Sequence, residues 1–263
     1  MADADALLEP GVTGRPPAPD PGPPAPSAAP PADESVMSLV DHLGELRKRL
    51  FRSIIAVALG GVVGFAVAER VRVFLQAPLG EVPLQVLGVG DAFVIQVKIS
   101  LVIGIILAMP VLLYQLWAFI APGLTPSERK TIRPWVPLAL VFFVLGVTIA
   151  YVVLPYAIDF LFGFAGENLE MRPAAGQYFD FVTTMFLVFG LVMEFPILLV
   201  GLSRVGIVTS QRLASSRRMV ILGIAIFSAV ATPGGDLVSP FVLGGTMYVL
   251  YEATLFFIRR SGR

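Results

Sequence analysis

The chain has 263 residues, of which 56% are hydrophobic and only 14% charged, and its net charge is zero. A soluble domain carries about 25% charged residues, so this balance predicts a polytopic membrane protein, and the neutral total gives no reason to expect a nucleic-acid partner. There is no cysteine and a single histidine, His42. Disulfides, thiolate metal sites and a cysteine nucleophile are excluded, and a multi-histidine metal site is argued against.

Residues 1–35 hold ten of the 22 prolines and no apolar run. Such a segment cannot bury enough surface to offset its ordering entropy and reads as a disordered, solvated cytosolic tail. It has neither the basic start nor the apolar core of a signal peptide. Residues 36–258 form the membrane domain and residues 259–263 a short cytosolic end.

Residues 38–52 read as an amphipathic helix. Ser38 and Asp41 give a capping-box signal. Leu39, Leu43, Leu46 and Leu50 form one apolar stripe. Asp41 and Glu45 lie on another face, followed by Arg47, Lys48, Arg49 and Arg52. The segment is expected to lie at the membrane surface and to run into the first span.

A span needs about 20 mostly apolar residues. Residues 53–68, 99–127, 134–158, 181–203, 219–235 and 237–258 fit, with Glu194 and Glu252 as isolated acids. Six helices are therefore expected, in an all-α fold, with the last two short and joined as a hairpin. Fourteen of the 19 bases collect on one side of these spans and three, Arg70, Arg72 and Arg172, on the other. The basic side is cytosolic by the positive-inside rule, and both termini share it. Pro110, Pro137, Pro155, Pro196 and Pro240 fall in or at the ends of spans and are expected to bend them, leaving a concave face.

The second span ends on an aromatic belt, Tyr114, Trp117 and Phe119. Pro122-Gly123 and a loop with Glu128 among Arg129, Lys130 and Arg133 follow. Amphipathic rings suit the boundary between hydrocarbon and headgroups. Acids are scarce on this basic side. Glu45 and Glu128 lie at similar depth, where carboxylates can receive guanidinium groups in bidentate bonds. Each also has a local explanation, preferred from the residues alone. Glu45 can pair with Arg49 at i,i+4. Thr125-Pro126-Ser127-Glu128 is a helix-capping signature.

Glu194 falls near mid-membrane. A charge there costs ~2.5–3.5 kcal/mol, so it should face a cavity or a partner, or form an interhelical hydrogen bond. Lys98 and Glu252 lie near span ends and are expected to snorkel outward. Asp236 sits in a tight outer turn, where aspartate is ordinary.

Five blocks carry a resemblance. They are Asp41 to Arg49 (DHLGELRKR); Ala77-Pro78-Leu79; Ala92-Phe93 with Val97-Lys98; Pro110 through Tyr114-Gln115, Trp117, Phe119, Pro122-Gly123-Leu124 and Glu128-Arg129-Lys130; and Phe189-Gly190 with Glu194-Phe195-Pro196. In these the chain resembles the TatC family, subunits of the twin-arginine protein translocase, over residues 38 to 258. The resemblance implies a receptor and translocase core for folded proteins, without enzymatic chemistry or cofactor, driven by the proton-motive force in the inner (cytoplasmic) membrane. It implies twin-arginine signal peptides, single-span TatA/TatB-type subunits and further copies of the chain as partners. Glu45, Glu128, Arg47, Phe119 and Leu124 match a signal-peptide patch. Glu194 matches an intramembrane acid facing a groove, with Lys98, Pro78 and Asp236 as further groove or partner contacts. One block departs: Gly234-Gly235 lengthens the turn before Asp236.

A proton-coupled carrier for a small molecule, with Glu194 and Lys98 as its relay, is the alternative from another class. A membrane-embedded enzyme is disfavoured by the absence of cysteine and of a paired acid cluster in the spans.

Overall fold

The computed structural model describes residues 39–164, 171–204, 210–232 and 236–260. The expected tail, the Ser38 cap and the Gly234-Gly235 turn lie outside them. The described residues are helical, with one isolated bridge, Gln85 to Ala174, in place of any strand. Five helical runs among them are long and apolar enough to cross a membrane: Asp41–Leu79, Asp91–Gly123, Trp135–Gly163, Ala175–Ser203 and Val238–Arg260. They correspond to five of the six expected spans.

Helix α1, Leu39–Gln76, is a single helix of 38 residues. At 1.5 Å per residue it is about 57 Å long, nearly twice a hydrocarbon core. The segment expected to lie along the membrane surface is therefore the first part of the spanning helix itself. No proline interrupts it, so nothing turns the chain at the boundary. The stripe expected to meet the membrane stays clear of the protein. Leu43, Leu46 and Leu50 are exposed, while His42, Glu45 and Arg49 are half-buried. In a bilayer an apolar stripe is satisfied by lipid, so specific packing falls to whichever face has partners.

A 3-10 turn at Ala77–Leu79 places Pro78 at the end of α1 and buries Leu79. Helix α2, Asp91–Ile120, carries Pro110 internally. It crosses α1 where both lack side chains: a Cβ on Gly60 would lie 2.6 Å from the Gly104 carbonyl oxygen. Small residues substitute here for the hydrophobic drive that lipid removes. Helices α3, Pro126–Ile132, and α4, Trp135–Gly163, follow. Pro137 lies in the first turn of α4, where no helical N–H is lost. It therefore costs α4 no hydrogen bond, and Pro240 has the same place at the start of the last helix.

The expected fourth span is two helices in line, α5, Ala175–Val192, and α6, Phe195–Arg204. Helix α5 packs on α4 through Gly190, whose Cβ would lie 2.7 Å from the Phe143 ring. The Tyr178 hydroxyl donates to the Leu75 carbonyl at 2.5 Å, tying the start of α5 to the end of α1. After the short α7, Ser210–Ser215, come α8, Arg217–Ala231, and α9, Val238–Arg260. The 15 residues of α8 fall short of a hydrocarbon thickness, as expected. The 23 residues of α9 do not, so only one of the last two helices is short. Leu154, Val182, Phe189, Leu243 and Tyr251 form the buried centre where α4, α5 and α9 meet, and Phe143 joins a second cluster with Met109 and Leu113 of α2.

Candidate functional site

The start of α1 packs on the end of α2 at one corner, and α3 packs on another face of the same turns of α2. The His42 ring stacks on Phe119, with centroids 4.5 Å apart and planes 22° from parallel. Arg49 pairs with Glu45 Oε1 one turn earlier and reaches the Gln115 side-chain oxygen at 3.4 Å. Residues 42, 45 and 49 share one face of α1, and Gln115 and Phe119 one face of α2. Glu45 is held by Arg49, while its Oε2 is buried with no hydrogen-bond partner among the described residues. A buried acceptor left so costs about 1–3 kcal/mol, which favours any donor that reaches it.

Glu128 is placed by the chain's own capping. Thr125 stands at the N-cap, and Glu128 Oε2 accepts from the Thr125 backbone N–H at 3.0 Å and from its hydroxyl at 2.8 Å. This is the reciprocal box that the local residues predict. Helix α3 is also tied to α2 by Arg129, whose guanidinium lies 5.6 Å from the centre of the Trp117 ring. The segments bearing Glu45 and Glu128 thus both dock on the last turns of α2.

Arg47 is exposed and points away from this corner: two residues beyond Glu45, it lies more than half a turn round α1. Leu124 is half-buried and lines a separate cavity of 760 Å³ with Tyr114, Trp117, Arg129, Lys130 and Arg133. The structure therefore sets Glu45 and Phe119 in one contact between α1 and α2, through Arg49–Gln115 and His42–Phe119, and places Arg47 and Leu124 elsewhere. His42 and Gln115 are contributors that the sequence reading did not single out. The spacing of His42, Glu45 and Arg49 at i, i+3 and i+7 was the available signal.

Glu194 sits at the break between α5 and α6. Pro196 has no N–H to continue the helix, and the Glu194 carbonyl instead accepts from Ile197 and Leu198, both at 3.1 Å. The side chain is buried, at 8% exposure, and its Oε1 has no partner among the described residues. The interhelical hydrogen bond that would explain it structurally is therefore not made to that oxygen.

Two expected snorkelling residues are paired instead. Lys98 on α2 binds Asp180 on α5. Arg217 on α8 donates to Glu252 on α9 at 2.9 Å. Pairing beats snorkelling because each acid already lies at the same depth on a neighbouring helix. Asp236 is buried and accepts from the Ser239 backbone N–H at 2.6 Å, capping α9, while its Oδ2 has no partner among the described residues. No cluster of metal-ligating side chains occurs among the described residues.

Residues 41–245, which include every residue of the corner, match the family model described as Sec-independent protein translocase protein (TatC). The chain belongs to the TatC family. A TatC of Carboxydothermus hydrogenoformans is 32% identical over 227 residues, which cover 85% of this chain and 93% of that one. A TatC of Azotobacter chroococcum is 38% identical, over 84% of this chain and 89% of the other. A solved structure described as the crystal structure of the twin-arginine translocase receptor TatC superposes with a TM-score of 0.74 at 35% identity, over 84% of this chain and all of that one. As a TatC-family member the chain is a multi-pass membrane component of a protein translocase, a transport protein.

Proposed function

We infer that this chain is the receptor and core of a twin-arginine translocase, binding the paired arginines of an export signal at the end of α2, between α1 and α3. One observation carries the reading. Two carboxylates on a strongly basic side, Glu45 and Glu128, sit on segments that dock on the last turns of α2 from different faces, and one Glu45 oxygen is buried without a partner among the described residues. An incoming guanidinium would be repelled by the surrounding bases unless such acids received it. Arg49 and Thr125 then act as place-holders that keep each carboxylate oriented.

The apolar part of the signal and the single-span TatA/TatB-type subunits dock along the membrane face near Glu194, with Lys98, Pro78 and Asp236 toward the outer side. Both termini are cytosolic, α8 makes the sixth crossing, and the complex lies in the cytoplasmic membrane with further copies of the chain. The proton-motive force supplies the energy, in keeping with the absence of a GxxxxGK[ST] motif.

The carrier reading needs Glu194 and Lys98 to act together. Lys98 is instead paired with Asp180, which lies fourteen residues, or about 21 Å along the helix axis, before Glu194. Uptake of a small molecule by liposomes holding this chain alone would nevertheless revive it. Photo-crosslinkers placed beside the arginines of a signal peptide give the direct test. They should label α1 near Glu45 and α3 near Glu128, and labelling confined to the opposite face of the membrane would reject the reading.

A further inference from the structure

The cavity that holds Leu124 has no part in the corner. Gln115 and Phe119 point from α2 toward α1, while Tyr114 and Trp117 lie roughly 150° round the helix from them, at 100° per residue. The cavity, 760 Å³ in volume, lies on that far side, between the end of α2, α3 and the start of α4.

Its chemistry is one-sided. Arg129, Lys130 and Arg133 bring three cations, and no carboxylate lines it among the described residues. Glu128, the adjacent acid, turns its Oε2 to Thr125. Trp117 also lines the cavity, and its indole Nε1 is buried with no acceptor among the described residues. Cationic donors converge here with no acidic acceptor among the described residues. The apolar half of the lining is equally consistent. Tyr114, Val136 and Pro137 complete the wall. Toward the membrane centre, Val111 and Leu107 continue the Tyr114 face of α2 and Val141 that of Pro137 on α4, all exposed.

We propose that this cavity is a binding site for one anionic phospholipid, whose headgroup phosphate is held by Arg129, Lys130 and Arg133, whose glycerol region rests on the Trp117 and Tyr114 rings, and whose acyl chains run along the exposed apolar faces of α2 and α4. A basic pocket at the headgroup level, floored by aromatic rings and continued by an apolar furrow, matches such a lipid in charge and in shape. An arginine-bearing peptide is the wrong occupant, since three like charges line the site. The site stands apart from the signal-binding reading and does not depend on it.

The chain has two tryptophans, Trp117 and Trp135. Trp135 packs edge-on against Phe257, so W135F leaves Trp117 as the single reporter. The full chain carrying W135F is placed in phosphatidylcholine nanodiscs containing phosphatidylglycerol with brominated acyl chains, or brominated phosphatidylcholine instead. Brominated phosphatidylglycerol is expected to quench Trp117 at a several-fold lower mole fraction. Each base removed among R129Q, K130Q and R133Q should reduce that preference roughly fivefold until it is lost. R129K with R133K, which keeps the charge, and R52Q, outside the cavity, should retain it. Equal quenching by the two lipids in W135F, or a preference unchanged in the triple glutamine variant, overturns the proposal. Displacement of the lipid by millimolar inorganic phosphate would also overturn it, assigning the site to free phosphate.

Discussion

His42 and Phe119 stack with ring centroids 4.5 Å apart, and this contact sets the start of α1 against the end of α2. It lies 77 residues apart in sequence, beside the Arg49–Gln115 hydrogen bond. Aromatic pairs of this kind contribute about 0.5–1.5 kcal/mol beyond burial. In a double-mutant cycle of H42A and F119A, thermal stability in detergent should show a coupling of about 1 kcal/mol. Additive losses would mean that the stack holds nothing together.

Thr125→Ala removes the cap that orients Glu128. A lost cap costs about 0.5–2 kcal/mol, local to the helix it begins. Amide exchange should accelerate in α3 and not in α5, and twin-arginine peptide binding should weaken although no carboxylate has been removed. Thr125→Ser should restore both.

The crossing of α1 and α2 rests on the absence of side chains. Gly60→Ala puts its methyl group against the backbone of Gly104 and should destabilise by about 1–3 kcal/mol. Gly61→Ala meets no atom within 4 Å and should be neutral or slightly stabilising, since alanine favours a helix. Melting curves of the two adjacent variants make a matched comparison, and equal losses would contradict the geometry.

Glu194→Leu removes a buried carboxylate oxygen that has no partner among the described residues. The folded chain should gain about 1–3 kcal/mol, while export of a twin-arginine cargo is lost. A variant that is destabilised and still exports would show that Glu194 is structural.

The Lys98–Asp180 pair is about half exposed, so it should contribute no more than ~1 kcal/mol. Either single alanine variant should lower stability slightly, and the exchange K98D with D180K should recover it. Failure of the exchange would assign the two residues separate roles.

Features written in consecutive residues were legible. The Thr125–Glu128 box was readable because a cap spans four positions, and the shortness of α8 because Thr232-Pro233 follows it. The break at Glu194 was half legible: the cost of a charge at mid-membrane announced a buried acid, and Pro196 a disturbance, but not that the helix would stop there. The Lys98–Asp180 pair was not readable, since 82 residues separate its members and only packing decides which acid a base meets. Which residues of α1 face the protein was not legible for a related reason. In water the leucine stripe would have been buried, whereas lipid leaves it exposed and lets His42, Glu45 and Arg49 face the protein.

The most direct measurement is the affinity of a twin-arginine peptide for the purified chain and for E45Q, E128Q and the double variant. Each charge-assisted bond of this kind is worth about 1.5–3 kcal/mol. Each single change should therefore weaken binding about 10- to 100-fold, and the double variant should bind no better than the unmodified chain binds a peptide with both arginines replaced. Undiminished binding by the double variant would contradict the account.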